Sequence, residues 1–277
     1  MRRLLLFLVV AGLALAAFGF WGARQQPQVV RYTLEVPGLA APLRIVQLSD
    51  THVGSIAMPA ARLREIVWQA NTLNPDLVVL TGDYVNGNPE TWNAAQTRAA
   101  LAPFDALQAP FGVFAVNGNH DDPARTAKAL AAGPVRLLVG EAADVGPVTL
   151  VGADDIERGS PAVEAMRRAI RGASPGKPIV VIAHEPSFFT WLQRRPVVMI
   201  AGHTHGGQIK LPIVGAYAMN EFYAAHRRGV FRKGRHQKVV SSGLGTTNVP
   251  MRIGVPPEIA LITLLPVQPG RNSGTER

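Results

Sequence analysis

The chain has 277 residues, 47% of them apolar and 17% charged, with a formal charge of +9 at pH 7 and no cysteine. Such length and apolar content support a buried core and exclude disorder as the main state. The missing cysteines exclude disulfides, thiolate nucleophiles and cysteine-held zinc, so any metal must rest on nitrogen and oxygen ligands, while the positive charge favours anionic partners: phosphate compounds, nucleic acid or an acidic membrane surface.

Arg2 and Arg3 precede an uncharged run over 4–22, and Arg24 is the next charge. As a helix this run would span roughly 28 Å, near the hydrocarbon thickness of a bilayer. Ala14-Leu15-Ala16 offers a small-residue site for cleavage of a signal peptide. Apolar residues continue past it through Phe18, Phe20 and Trp21, which favours an uncleaved anchor over residues 1–24. The positive-inside rule leaves the two arginines in the cytoplasm and the globular part on the outer face.

Residues 25–42 read as a linker followed by an edge strand over 31–36. Strands are then expected at 44–48, 77–80, 113–116, 135–139, 148–151, 179–182, 197–201, 239–241 and 259–264. Between them lie helical patterns at 59–73, 90–107, 123–132, 160–171 and 187–193, with Ser160 as the N-cap of the fourth and Pro161 in its first turn. Continuous apolar strands alternating with helices mean an α/β architecture over 43–267. The polar stretch 268–277 is a tail.

Histidine placement carries the chemistry. Five of the seven histidines fall in short segments that directly follow expected strands: Ser49-Asp50-Thr51-His52, Gly118-Asn119-His120-Asp121, Ala183-His184 and Gly202-His203-Thr204-His205. Thr81-Gly82-Asp83 ends a strand in the same way with a carboxylate. In α/β sheets the carboxyl ends of the strands gather on one edge, where ligands bind. Taken singly, each segment is ordinary turn or capping chemistry. Jointly they bring imidazoles, carboxylates and an amide oxygen to one place, a donor set suited to Mn, Fe, Zn or Co. Two such cations need a bridging ligand, which a carboxylate supplies.

The series Asp-x-His, Gly-Asp, Gly-Asn-His-Asp, His and Gly-His-x-His, spread over residues 45–208, resembles the calcineurin-like metallophosphoesterase superfamily. The longer strings Gly202-His203-Thr204-His205-Gly206-Gly207-Gln208-Ile209 and Gly254-Val255-Pro256-Pro257-Glu258-Ile259 are similar to a narrower branch of bacterial membrane-associated phosphodiesterases, the YkuE and YaeI type. The resemblance implies a four-layer α/β/β/α sandwich; with the N-terminal hydrophobic helix before it and the positive-inside rule, the expected place is the bacterial inner membrane with the catalytic domain on the periplasmic face. The resemblance also implies that Asp50, His52 and His205 bind one divalent metal and Asn119, His184 and His203 a second, with Asp83 bridging. His120 would contact the scissile phosphate together with Asn119 and assist the leaving group, with Asp121 orienting it.

Protein Ser/Thr phosphatases of the superfamily carry Gly-Asp-x-x-Asp-Arg-Gly, whereas this chain has Gly82-Asp83-Tyr84-Val85-Asn86-Gly87. That departure argues against a phosphoprotein substrate. Between Glu221 and Glu258 there is no acid, but Arg227, Arg228, Arg232, Lys233, Arg235, Lys238 and Arg252 are present. Beside a membrane such a stretch would attract lipid headgroups or a nucleotide diphosphate, and the resemblance places Arg252, in its glycine- and proline-rich loop, near the active-site edge as an expected substrate ligand. The expected substrate is a lipid-linked or nucleotide-linked phosphoester. Some relatives cleave UDP-2,3-diacylglucosamine in lipid A synthesis, although that compound is made in the cytoplasm. The alternatives are a nuclease or cyclic-nucleotide phosphodiesterase and a non-catalytic scaffold; aromatics at 6% of residues give few stacking platforms, so nucleic acid is not an expected partner.

Overall fold

A computed structural model describes residues 1–155, 159–192, 195–211, 215–216 and 221–267. Its frame is a pair of six-stranded sheets. The first is ordered β1 (Gln28–Val36), β14 (Glu258–Pro266), β2 (Leu43–Leu48), β3 (Leu77–Leu80), β4 (Val113–Ala115) and β5 (Val135–Leu137). The second is ordered β12 (Gly229–Lys233), β13 (His236–Val240), β9 (Val197–Ala201), β8 (Ile179–Ile182), β7 (Val148–Gly152) and β6 (Ala142–Val145). A small hairpin pairs β10 (Lys210–Leu211) with β11 (Gly215–Ala216). Strands β2 to β5 run parallel, as do β7, β8, β9 and β13, so each set presents its carboxyl ends along one edge.

Period-2 alternation sorts the apolar side chains into layers. Ile45, Leu77, Val79, Val180, Ile182, Val198 and Ile200 fill the space between the two sheets, together with Leu34, Leu150 and Ile262. Val46, Leu48, Val78 and Leu80 point the other way, onto α2 (Ala60–Thr72), α3 (Ala94–Leu101) and α4 (Pro123–Leu130). Val181, Val197 and Met199 likewise cover α5 (Ser160–Gly172) and the 3-10 turn Pro186–Trp191. The result is the expected α/β/β/α sandwich.

Several boundaries differ from the sequence reading for local reasons. The helix expected over 90–107 is broken into a 3-10 turn (Pro89–Thr91), α3 and a second 3-10 turn (Ala102–Ala106). Asn93 and Gln96 form a reciprocal capping box that starts α3 late, and Pro103 has no N–H to continue it. Ser160 is not an N-cap. Gly159, at φ 74°, takes that position and Ser160 is the first helical residue. Four strands were not expected, β6 and β12, which are short edge strands with charged residues, and the β10–β11 hairpin, nor was α6 (Glu221–Ala225). Residue 193 of the expected 187–193 helix and the tail 268–277 lie outside the described residues.

Helix α1 (Arg2–Ala23) is exposed along nearly its whole length, with only Gly19 and Ala23 buried. Its length and mean hydropathy of 2.5 are those of a helix able to cross a membrane.

Replacing Ile262, which has no exposed surface between the sheets, with alanine should cost about 2–5 kcal/mol. Urea unfolding would show the midpoint shift, and an unchanged midpoint would contradict this packing.

Candidate metal centre

Each of the five histidine- and aspartate-bearing segments leaves the carboxyl end of a parallel strand. Asp50 and His52 follow β2, Asp83 follows β3, Asn119 and His120 follow β4, His184 follows β8, and His203 and His205 follow β9. Five of these residues adopt a left-handed backbone: Asp50 (φ 53°), His52 (43°), Asp83 (57°), His203 (71°) and His205 (48°). Each non-glycine residue held there costs on the order of 1–3 kcal/mol and persists only where its surroundings enforce it. Here the loops brace one another. Asp50 N–H donates to Gly82 O at 3.0 Å, His52 N–H to Asp83 O at 3.0 Å, Gly245 N–H to Asp50 O at 2.7 Å and Gly202 N–H to His184 O at 2.9 Å. The loops are also crowded. A Cβ at Gly118 would run into the Asp83 carboxylate, so only glycine lets β3 and β4 approach this closely.

The side chains converge in two adjoining sets. In the first, Asp50, His52, Asp83 and His205 place one ligand atom each within 4.8 Å of one another, all of them buried. His52 Nε2 is 3.2 Å from His205 Nε2 and 3.5 Å from Asp83 Oδ2. In the second, Asn119 Oδ1 is 3.0 Å from His184 Nε2 and 3.2 Å from His203 Nδ1, and those two nitrogens are 3.1 Å apart. Asp83 Oδ2 lies 3.3 Å from His184 Nε2 as well, so one carboxylate oxygen faces both sets. Paired imidazole nitrogens pointing at each other gain little from hydrogen bonding, since each pair needs a donor and an acceptor. Facing a cation, all of them become ligands. The donor set therefore fits two divalent cations, and His184 Nδ1, 2.7 Å from Thr81 O, keeps the outward contact that orients a metal-binding imidazole.

The protonation pattern of the bare protein agrees for three of the four imidazoles, His184 being held protonated by the carboxylate it faces. Burial pushes His52 and His203 down to about 4, and His205 down too, leaving lone pairs free at neutral pH. Burial also opposes charge on His184, but the Asp83 carboxylate overrides it and lifts this imidazole to about 10. Asp83 stays well below the usual carboxylate range despite burial because His184 and His52 face it.

Three sequence expectations change here. The buried Asp121 carboxylate, expected to orient His120, accepts instead the backbone N–H groups of Asp83, Tyr84 and Gly118, each at 2.8 Å, and so pins the Asp83 loop. Arg252 is not at the substrate edge. It is 1% exposed and donates to Gly245 O and Ser242 O at 2.8 Å, because its guanidinium is enclosed by loop carbonyls behind His205. The basic stretch is not one surface either. Arg228 pairs with Glu258 at 3.1 Å, and buried Lys238 sits over the rings of Phe189, Phe222 and Phe231 at 4.8–5.5 Å. Arg232, Lys233 and Arg235 remain exposed.

His120 is half-buried beside the first set, with its ring 5.4 Å from that of His52 and its backbone N–H donating to Asp83 Oδ1 at 2.9 Å. Tyr223 was missed. Its ring packs 4.9 Å from that of His203, and its hydroxyl donates to Glu185 Oε2 at 2.7 Å. Nothing local in the sequence signals this, because the contact joins segments 20 positions apart whose loops are irregular.

The chain matches the calcineurin-like phosphoesterase family over residues 43–207. It is 30% identical to a zebrafish (Danio rerio) transmembrane protein with a metallophosphoesterase domain, over 95% of this chain and 63% of that protein. It is also 30% identical to the uncharacterized metallophosphoesterase YkuE of Bacillus subtilis, over 80% of this chain and 78% of the relative. With the phosphodiesterase YaeI of Escherichia coli the identity is 28%, over 82% of this chain and 83% of the relative. The chain thus spans less than two thirds of the zebrafish protein.

Asp121→Ala should strand three buried N–H donors at about 1–3 kcal/mol each; calorimetry would show a lowered Tm. Lys238 gives a pH signature. Burial depresses its folded-state value to about 8, so between pH 8 and 10.5 the unfolded chain holds a proton that the folded chain has released, and stability rises with pH. Relative to Lys238→Met, the wild-type Tm should climb across that window; parallel profiles would refute the depressed value.

Proposed function

The chain belongs to the calcineurin-like phosphoesterase family, and from that premise we propose that it is a dinuclear metal-dependent phosphodiesterase or pyrophosphatase. The observation that carries the reading is the Asp83 carboxylate, within 3.5 Å of a nitrogen from each ligand set. Asp50, His52 and His205 would hold one cation and Asn119, His184 and His203 the other. Held there, two cations would supply a hydroxide nucleophile at neutral pH and would neutralise charge on the phosphoryl oxygens. The protein's own part is to place groups. His120 follows Asn119 of the second set in one loop, and its backbone N–H bond to Asp83 fixes the stretch of loop that carries the imidazole. From there His120 hands a proton to the leaving-group oxygen.

The substrate we propose is a lipid-linked or nucleotide-linked phosphoester, of which UDP-2,3-diacylglucosamine is one representative. The exposed apolar α1 supports a membrane-bound enzyme, and the paired arginines at its start favour the outer face of a bacterial inner membrane. Manganese suits the mixed imidazole, carboxylate and amide donors.

Purified protein with Mn²⁺ would be assayed against lipid-linked, nucleotide and oligonucleotide diesters, with turnover expected on the lipid- or nucleotide-linked compounds. His120→Ala should retain its metals and lose roughly 10²–10⁴-fold in rate. Asp83→Asn should lose metal and activity together. A metal-loaded wild type inert on every diester, or either variant at wild-type turnover, rules the mechanism out.

A further inference from the structure

Helix α1 does more than project from the domain. Its last turn is docked on the loop 251–253, whose Arg252 backs the first ligand set. Arg252 N–H donates to Gly19 O at 2.8 Å. A Cβ at Gly19 would come within 3.0 Å of the Met251 side chain, and one at Gly22 would collide with the Arg252 carbonyl. The two glycines therefore form the face that lets a helix lie directly on a loop backbone. On the other side, Arg24 Nη1 donates to Ile56 O at 3.3 Å, in the loop after His52, and Arg62 Nη2 from α2 donates to Gln25 O at 2.6 Å.

The residue gripped by α1 is the one behind His205. The Arg252 guanidinium donates to Gly245 O and Ser242 O at 2.8 Å, and it lies 3.5 Å from His205 O and 3.4 Å from His205 Nδ1. Gly245 in turn donates its N–H to Asp50 O. Arg252 thus joins three things through one backbone N–H and one planar fork: the anchor helix, the Asp50 loop and the His205 loop. No comparable link runs from α1 to Asn119, His184 or His203 among the described residues.

We propose that the docked end of α1 is part of the first metal site, with Arg252 as the positioning residue that transmits it. The docked turn, Gly19 to Ala23, lies beyond the candidate cleavage site at Ala14-Leu15-Ala16, so the arrangement does not depend on the fate of the apolar run before it. The inference rests on the two-metal reading for what the site holds, but not on any substrate.

The test uses the full chain in lipid nanodiscs. Mn²⁺ stoichiometry and affinity are read by equilibrium dialysis, and the spin-coupled Mn²⁺ pair by EPR. Gly22→Leu should weaken one of the two Mn²⁺ ions by roughly 10–100-fold, replacing the coupled signal with that of a single ion, while the second ion binds as in wild type. Arg252→Lys, which keeps the charge but loses the planar fork, should do the same, and the double variant should be no worse than either alone. Gly12→Leu, on the open face of α1, should bind both ions normally. Gly19→Ala gives a milder disturbance should Gly22→Leu not fold. Two tightly bound ions in folded Gly22→Leu or Gly19→Ala, or equal loss in Gly12→Leu, overturns this inference alone. A wild type that takes up no Mn²⁺ overturns the metal centre itself.

Discussion

Asp83 is the side chain on which the rest of the site depends. A carboxylate oxygen 3.3 Å from His184 and 3.5 Å from His52 is too buried to be left as a bare charge, and among the described residues no lysine or arginine pairs with it. Burial alone would neutralise it, and only the surrounding imidazoles, or cations in their place, keep it ionised. The second oxygen is occupied as well, accepting the His120 N–H. Beneath it, Asp121 holds the Asp83 N–H and two of its neighbours in a fixed position. The Asp83 carboxylate is therefore fixed before any ligand arrives, and this is the preorganisation that the proposed phosphoryl-transfer site would require.

The same demand explains the strained backbone. A ligand loop leaving a strand end must reverse within two or three residues to aim its side chain back over the sheet edge. Left-handed conformations at Asp50, His52, Asp83, His203 and His205 do that at the expense of stability. The strain is tolerated because the loops hydrogen-bond to each other, and because glycines such as Gly118 let neighbouring loops nearly touch.

The sequence revealed the fold where physics acts locally. Apolar runs such as Leu77–Leu80 and Ile179–Ile182 have too little polarity for anything but buried strands, and the structure ends them where the reading did. All seven expected ligands meet because each follows a strand end, a position that topology fixes without long-range detail. Long-range packing was less legible. Arg252 looked like a surface cation in a flexible loop, yet the carbonyls of Gly245, Ser242 and Val255 enclose it. Lys238 looked like part of a basic face and proved to be caged by three aromatic rings from separate segments. Tyr223 reaches His203 from a five-residue helix too short to leave a periodic pattern. Burial of a charge depends on its partners, and partners far away in sequence leave no local trace.

Neither sheet alone could form the centre. The first ligand set takes Asp50, His52 and Asp83 from one sheet and His205 from the other. The second takes Asp83 and Asn119 from the first sheet and His184 and His203 from the second. Each cation would therefore bind across the seam between the two sheets, just above the apolar layer of Ile45, Val79, Ile182 and Ile200. Metal affinity and sheet packing must then be linked, because a shift between the sheets moves ligands of both sets at once, while a bound pair resists that shift. That linkage gives the four-layer architecture a functional reason: it is the arrangement in which parallel strand ends from two sheets can point at the same few ångströms of space.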